Sequence, residues 1–372
     1  MKITGAVLEE IGRPSPYADS TPLSISELEL QDPQATELLI RMEAAGVCHS
    51  DLSVVNGDRA RPVPMLLGHE AAGIVESVGP EVEGIEPGQR VVMTFLPRCE
   101  DCENCAADGR LPCTPGSAAN SEGRMLSGGR RLSRGGDSVH HHLGVSGFAT
   151  YAVVDQATVV PVGSDVPPEV AAVLGCAVLT GGGSLLNAAK PGPQDTVMIV
   201  GLGGVGIAAL LTAVGEGYQR IIGVDMAEDK LALALEVGAH EVYTPQQLEE
   251  QGIKAHRVVE CAGHESAFET AFRATKPGGV TVTVGFPHPE ATAAIPPAVI
   301  TGEARTIMGS YLGSSVPKRD IPRYEQLWRE GRLQVEKLIT SHIRLADINQ
   351  AMDDLAAGRA VRQIITFDRQ EA

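Results

Sequence analysis

Thr196-Val-Met-Ile-Val200, followed at once by Gly201-Leu-Gly-Gly-Val-Gly206 and an Ala/Leu-rich run to Gly215, decides the fold. A short apolar run closed by glycines reads as a strand, and the Ala/Leu run reads as a helix, so the segment is the first half of a βαβ unit. The G-x-G-x-x-G pattern permits a tight turn, a close backbone approach to a pyrophosphate and close helix packing. The helix N-terminus adds free N–H groups and a positive dipole end. Gly201, Gly203, Gly204, Val205 and Gly206 are therefore candidate dinucleotide-binding residues. Asp225 stands 19 residues after Gly206, at the end of the next expected strand, where its carboxylate suits both adenosine ribose hydroxyls and repels a 2′-phosphate. This favours NAD over NADP. The plain alternative is a glycine turn in an ordinary α/β sheet.

Downstream the rhythm repeats, with strands at 220–225, 257–260 and 280–284 and helices at 229–237 and 265–275. An open, doubly wound parallel sheet of Rossmann type is implied. Upstream, residues 1–110 read as short Val/Ile/Leu-rich strands broken by Gly and Pro, at 37–42, 72–78 and 89–94. Residues 112–137 are rich in Gly, Ser and Arg and read as a long exposed loop, with a strand resuming at 147–154. The tail carries amphipathic helices at 324–330 and 348–357 and a strand at 363–367.

With 372 residues the chain holds two or three domains. Thirty basic against 47 acidic side chains leave a net charge of −17, which disfavours nucleic acid and anionic membrane as partners. No signal peptide is read in residues 1–10, and no stretch approaches the ~18 consecutive apolar residues of a membrane span, so a cytoplasmic location is expected. Seven cysteines, at 48, 99, 102, 105, 113, 176 and 261, do not suit a disulfide framework in a chain of this size. Metal ligation is the better starting point.

Cys99-x2-Cys102-x2-Cys105-x7-Cys113 places four thiols within fifteen residues. Four sulfurs with no open position describe a structural zinc, with an iron–sulfur cluster the main competitor. Cys48, His69 and Cys176 are dispersed, but two thiolates and an imidazole would make a three-ligand zinc site with room for water or substrate. Each also has a bland reading, a buried cysteine usually being a small hydrophobe. Cys261 is expected to be such a core thiol.

Five segments now converge: Gly46-Val-Cys-His-Ser-Asp51, Gly68-His-Glu-Ala-Ala-Gly73, the four-cysteine loop, Gly201–Gly206 and Val361-Arg-Gln-Ile-Ile-Thr-Phe367. Together, and in this order, they resemble the zinc-dependent alcohol dehydrogenases of the medium-chain dehydrogenase/reductase superfamily. The resemblance implies a GroES-like β-rich catalytic domain over 1–178 and 319–372, a Rossmann cofactor domain over 179–318, and an active site in the cleft. It implies NAD and two zinc ions per chain: a catalytic one on Cys48, His69 and Cys176 with Glu70 beside it, and a structural one on the four-cysteine loop. It makes Ser50 the hydroxyl that takes the alcohol proton and Asp51 the carboxylate that orients His69. His49 and Arg362 would contact the pyrophosphate, Lys230 the ribose, and Thr180 would pack on the nicotinamide. Arg59, Phe95, His142, Leu143, Phe286 and Tyr311 match the substrate pocket. Ser53 stands where many members carry a histidine that ends the proton relay.

The reaction so implied interconverts an alcohol with its aldehyde or ketone by hydride transfer, zinc lowering the pKa of a bound hydroxyl toward ~7. The partner is a small molecule, and a homodimer is expected because the loop 114–139 is long, like that of dimeric members. The alternative within the family is oxidation of a thiol adduct such as hydroxymethyl-glutathione. A metal or redox sensor that kept the fold is a different class, and the complete ligand set with Ser50 argues against it. The run His140, His141, His142 also invites a metal reading, against that of a structural segment leading toward Phe148. Arg124, Arg130, Arg131 and Arg134 read as a solvated loop face.

Overall fold

The computed structural model describes residues 1–367. The chain divides into two compact units, the first Met1–Ala107, Leu111–Cys176 and Ile339–Ala372, the second Asp108–Arg110 and Ala177–Leu338.

The first unit is built from two sheets. Lys2–Leu8, Leu23–Leu30, Leu132–Arg134, Asp137–His141 and Met65–Leu66 close into a barrel. A seven-stranded sheet runs Val159–Val162, Arg90–Met93, Ala71–Val78, Glu37–Val47, Gln363–Thr366, Ser341–Ile343, with Tyr151–Asp155 also pairing to Glu37–Val47. Its core is aliphatic, drawn from Leu38, Ile40, Met42, Val75, Val91 and Met93 around Phe148, as the alternating strands lead one to expect. The C-terminal strand returns to pair Gln363 with Val47, which places Arg362 next to the start of the Cys48 segment.

The second unit holds one six-stranded parallel sheet in the order Glu241–Tyr243, Ile221–Val224, Val197–Val200, Ala255–Glu260, Thr275–Thr283, Thr306–Gly309. The chain leaves Val197–Val200 first to one side and later to the other. The carboxyl end of that strand is therefore a topological switch point, where open α/β sheets bind ligands.

Three expectations are corrected. Residues 112–137 are not an open loop: Thr114–Glu122 is a helix, and Leu132–Arg134 and Asp137–His141 form a hairpin around Gly135 and Gly136, both at positive φ. Adjacent glycines with φ of 60° and 92° make the two-residue turn that matches strand twist, a signal lost among the surrounding polar residues. Of the arginines there, Arg131 pairs with buried Glu37 at 2.8 Å and Arg134 with Glu9 at 2.6 Å, whereas Arg130 is exposed and Arg124 pairs with the exposed Glu122, so only part of the expected solvated face is one.

Residues 319–338, expected with the catalytic domain, lie in the second unit. Helix Pro317–Arg329 sets the Tyr324 ring so close to Gly182 that a Cβ there would meet it at 2.8 Å, and Asp320 accepts from Asn187 at 3.1 Å. The last five residues of the expected segment 319–372 lie outside the described residues.

The chain also forms a 22-residue helix, Pro168–Ala189, apolar and long enough to cross a membrane by length and composition alone. Because 89% of its most apolar window is buried inside the protein, it is a core helix. It widens to π-helical winding at Leu174–Val178, which contains Cys176.

Candidate active site

Strand Glu37–Val47 ends at Cys48, whose extended backbone caps the short helix His49–Val55. Asp51 reaches back to accept the Cys48 N–H at 3.2 Å, which fixes the turn and aims the carboxylate inward. Gly68 has φ +93°, and a Cβ there would stand 2.5 Å from the Phe148 nitrogen. Only glycine fits the bend that delivers the next residue, His69, to the same place.

There the His69 Nδ1 lies 2.9 Å from Asp51 Oδ1, both side chains fully buried. Its Nε2 lies 3.5 Å from Cys176 Sγ. The ligand atoms of Cys48, His69 and Cys176 all sit within 4.8 Å of one another. Ligand atoms of a tetrahedral zinc are roughly 3.5–3.8 Å apart, given bonds of ~2.3 Å to sulfur and ~2.0 Å to nitrogen, so the three fit that ion.

The electrostatics agree. A hydrogen bond from Cys176, with Arg362 and His69, holds the Cys48 thiol well below its usual range despite burial, while Cys176 is pushed well above. Burial works against a charged His69, yet Asp51 and Cys48 raise its pKa well above the ordinary value. A pocket that stabilises positive charge among thiolates suits a cation.

Glu70 is fully buried, with Oε1 at 3.3 Å from Arg362 Nε, while an Arg362 amino group donates to the Val47 carbonyl at 3.0 Å. Ser50 lies beside the site, its Oγ 3.9 Å from Cys48 Sγ. The Phe95 ring stands edge-on to His69 at 5.6 Å. His142 is also fully buried, and its Nδ1 lies 3.3 Å from Asp51 Oδ1. That contact was not legible in the spacing, and the histidine run gave its only signal. Leu143 is buried beside it, His49 is exposed, and Arg59 is half-buried with its backbone N–H on the Ser53 carbonyl.

The four cysteines form a second group, Sγ atoms within 4.8 Å, with Cys99 and Cys105 sulfurs 3.9 Å apart. The backbone N–H groups of Cys99 and Gly116 each donate to Cys113 Sγ at 3.4 Å. The Thr114 N–H leads in lowering Cys102 to about 6, and burial leads in raising Cys105 to about 12. Amides aimed at sulfur favour thiolates, the form that binds metal.

In the second unit Gly201 has φ +89°, and a Cβ on Gly206 would fall 1.8 Å from the Gly201 oxygen. Helix Gly204–Gly215 starts there with no side chain capping it. Asp225 accepts the Leu202 N–H at 2.7 Å and the Ala227 N–H at 3.0 Å, so it ties the glycine turn to the neighbouring strand end. Lys230 is half-buried in the first turn of helix Glu228–Glu236. Thr180 is buried, and its hydroxyl has no hydrogen-bond partner among the described residues. Phe286 and Tyr311 are exposed aromatics 6.1 Å apart. Sequence reasoning missed Glu260, a buried carboxyl that accepts from Gly263 N–H at 2.7 Å and Thr283 hydroxyl at 2.8 Å, fixing the loop after its strand. Cys261 beside it is a thiol pushed well up by burial.

Two family models match: the alcohol dehydrogenase GroES-like domain over residues 34–164 and the zinc-binding dehydrogenase domain over 204–330. An alcohol dehydrogenase zinc-binding domain protein from Burkholderia ambifaria is 30% identical, with a TM-score of 0.91 over 99% of this chain and 100% of that one. Benzyl alcohol dehydrogenase from Acinetobacter calcoaceticus is also 30% identical, with a TM-score of 0.90 over 99% and 100%. A cobalt- and zinc-bound thermostable alcohol dehydrogenase from Pyrobaculum aerophilum is 25% identical, with a TM-score of 0.79 over 99% and 100%. With its GroES-like domain, its Rossmann domain and relatives aligned from end to end, the chain belongs to the zinc-binding alcohol dehydrogenases of the medium-chain dehydrogenase/reductase superfamily.

Proposed function

We propose that this chain is an NAD-dependent zinc alcohol dehydrogenase that interconverts a small alcohol with its aldehyde or ketone. The observation that carries the reading is the meeting of Cys48, His69 and Cys176 in one buried group, with Asp51 on the far nitrogen of the histidine. Zinc held there would supply Lewis acidity to an oxygen function, and the nicotinamide would accept the hydride.

The protein's part is to place and hold. Asp51 keeps the proton on His69 Nδ1 and so leaves Nε2 bare toward the metal. Arg362 and Glu70 form a buried pair beside the two thiols, and the guanidinium offsets their negative charge. The Ser50 hydroxyl takes the alcohol proton onto Oγ and passes it outward. The glycine turn and the N-terminus of helix Gly204–Gly215 would hold the pyrophosphate and Asp225 the ribose, and the unpartnered hydroxyl of Thr180 would be available to the nicotinamide. Four thiolates at Cys99, Cys102, Cys105 and Cys113 would hold a second, structural zinc. None of the seven cysteines is in a disulfide and six of them stand in the two candidate metal groups, which supports a reducing, cytoplasmic setting. The edge strand Thr306–Gly309, with Met308 exposed, supports a homodimer, which light scattering tests.

The benzyl alcohol dehydrogenase relative and Phe95 against His69 favour an aromatic primary alcohol. A panel of primary, secondary and aromatic alcohols with NAD, followed by NADH absorbance, tests the function. Turnover on benzylic alcohols is expected. Formaldehyde oxidation that requires added thiol would replace this reading with the thiol-adduct branch.

A further inference from the structure

Asp51 serves more than the ligand His69. Its Oδ2 takes the Cys48 N–H, its Oδ1 takes His69 Nδ1, and the same Oδ1 faces His142 Nδ1 at 3.3 Å. All three side chains are essentially without solvent contact. The His142 and His69 rings stand perpendicular at 5.6 Å, so neither stacks on the other, and the Nδ1 of each lies near one carboxylate oxygen, at 3.3 and 2.9 Å. The His142 contact lacks the alignment of a finished hydrogen bond, and its Nδ1 is a buried polar atom with no other partner. Its backbone is pinned: its N–H donates to Ser146 Oγ at 3.0 Å, and its carbonyl accepts from Val145 at 3.0 Å and Ser146 at 3.2 Å.

A buried carboxylate with one donor per oxygen can rock about its χ2 torsion, and His69 would rock with it. A second donor on Oδ1 from a pinned backbone removes that freedom. We propose that His142, through its Nδ1–H on Asp51 Oδ1, is a positioning residue that fixes Asp51 and, through it, the metal-ligating face of His69. This rests on the reading of Cys48, His69 and Cys176 as a metal site. It places His142 behind the metal ligands, whereas family resemblance alone would put it against substrate.

The test compares His142→Asn, whose amide nitrogen falls where Nδ1 was, with His142→Gln, whose amide reaches the Nε2 position, and with His142→Phe. Cobalt-substituted protein is titrated with a chromophoric chelator, and its visible spectrum is recorded. Wild-type protein must first show a cobalt–thiolate band whose intensity falls in Cys48→Ala while the part due to the four-cysteine group remains, and the absence of that difference would sink the reading of Cys48, His69 and Cys176 as a metal site. Given that band, the glutamine and phenylalanine variants are expected to lose metal affinity about tenfold, the low end for removal of an outer partner, with shifted ligand-field bands. The asparagine variant should stay near wild type. If phenylalanine fails to fold, the asparagine and glutamine pair decides. Equal loss in both, or unchanged affinity in the glutamine variant, overturns the proposal. So does a changed KM for alcohol with an unchanged cobalt spectrum, which would make His142 a substrate contact.

Discussion

Arg362 Nε lies 3.3 Å from Glu70 Oε1, and the two side chains are 3% and 0% exposed. The pair joins positions 292 apart, brought together because Gln363–Thr366 pairs with Glu37–Val47. A buried guanidinium that loses its carboxylate keeps only the Cys48 and Cys176 thiols and the Val47 carbonyl as partners. Glu70→Gln is expected to cost about 3 kcal/mol of unfolding free energy, the lower end for a broken buried pair because the Val47 carbonyl still holds Arg362. Glu70→Gln combined with Arg362→Met should recover much of the loss. Urea denaturation of the two variants checks this, and a double variant worse than the single would refute it.

The two cysteine groups should fail differently. Cys102→Ala removes a ligand from a lobe whose Cys99, Cys105 and Cys113 have no other covalent tie, so stability should fall by several kcal/mol. Cys48→Ala sits in a packed core of strands and should abolish turnover while moving the melting temperature by only a few degrees. Each variant should lose one metal ion by elemental analysis. Matching losses of activity and stability would end the division of roles.

His141 is buried, with Nε2 accepting the Arg131 N–H at 3.3 Å, and its pKa is pushed down to about 3 by burial and then by Arg131 and Arg130. Unfolded, the imidazole titrates near ~6.5. The folded form therefore stays neutral while the unfolded form takes up a proton. Stability is full above pH ~6.5 and falls as pH drops toward ~3, at up to about 1.4 kcal/mol per unit. His141→Gln keeps an acceptor for the Arg131 N–H and does not titrate. Its unfolding free energy should fall less than wild type between pH 6.5 and 4.5, by roughly 2 kcal/mol. Parallel curves would show that His141 does not control this range.

The parallel sheet was legible because its central strand, Val197–Val200, is a continuous apolar run closed by Gly201 and followed by a helix-forming stretch. The candidate metal-ligating group was legible only as a set, since nothing in the spacing of Cys48, His69 and Cys176 brings them together until the β-rich fold does. Three things were hidden. Helix Thr114–Glu122 is mostly small and polar, so it carries no apolar stripe, and its first turn is organised by Cys113 accepting from Gly116. Helix Pro168–Ala189 is covered nearly all round, which erases the amphipathic period that marks a surface helix. The contact of His142 with Asp51 joins positions 91 apart, and no local rule reaches that far.

Asp225 has two tasks that one substitution can separate. Its carboxylate accepts the Leu202 N–H at 2.7 Å and would also meet the ribose hydroxyls. Asp225→Asn keeps an oxygen acceptor for the turn but removes the charge that repels a 2′-phosphate. KM for NAD should rise a few fold and the preference for NAD over NADP should narrow by about tenfold or more. Asp225→Ala should lose both, raising KM for NAD further. Wild-type kinetics with NADP equal to NAD would defeat the assignment before any variant is made.

Ser53 sits on the same short helix as Ser50 and donates its hydroxyl proton to the His49 carbonyl at 2.8 Å. In this arrangement the hydroxyl hydrogen is spent inside the helix, and the side chain offers solvent no group that ionises near neutrality. In the proposed reaction a proton leaving Ser50 would travel by another hydroxyl, the cofactor ribose or water. Ser53→His would place an imidazole of pKa near ~6.5 on that half-buried surface and free the His49 carbonyl. The helix should tolerate it, because position 53 is only partly buried and the lost bond is a back-bond to the fourth residue before it. Alcohol oxidation should then gain about two- to fivefold above pH ~6.5, where the imidazole is neutral and can accept, and the gain should fade below that pH as it protonates. The affinity for NAD should hardly change, since Asp225 and the glycine turn are untouched. The measurement is the pH dependence of kcat, and a profile that overlays the parent would show that the proton takes a route passing by some other group.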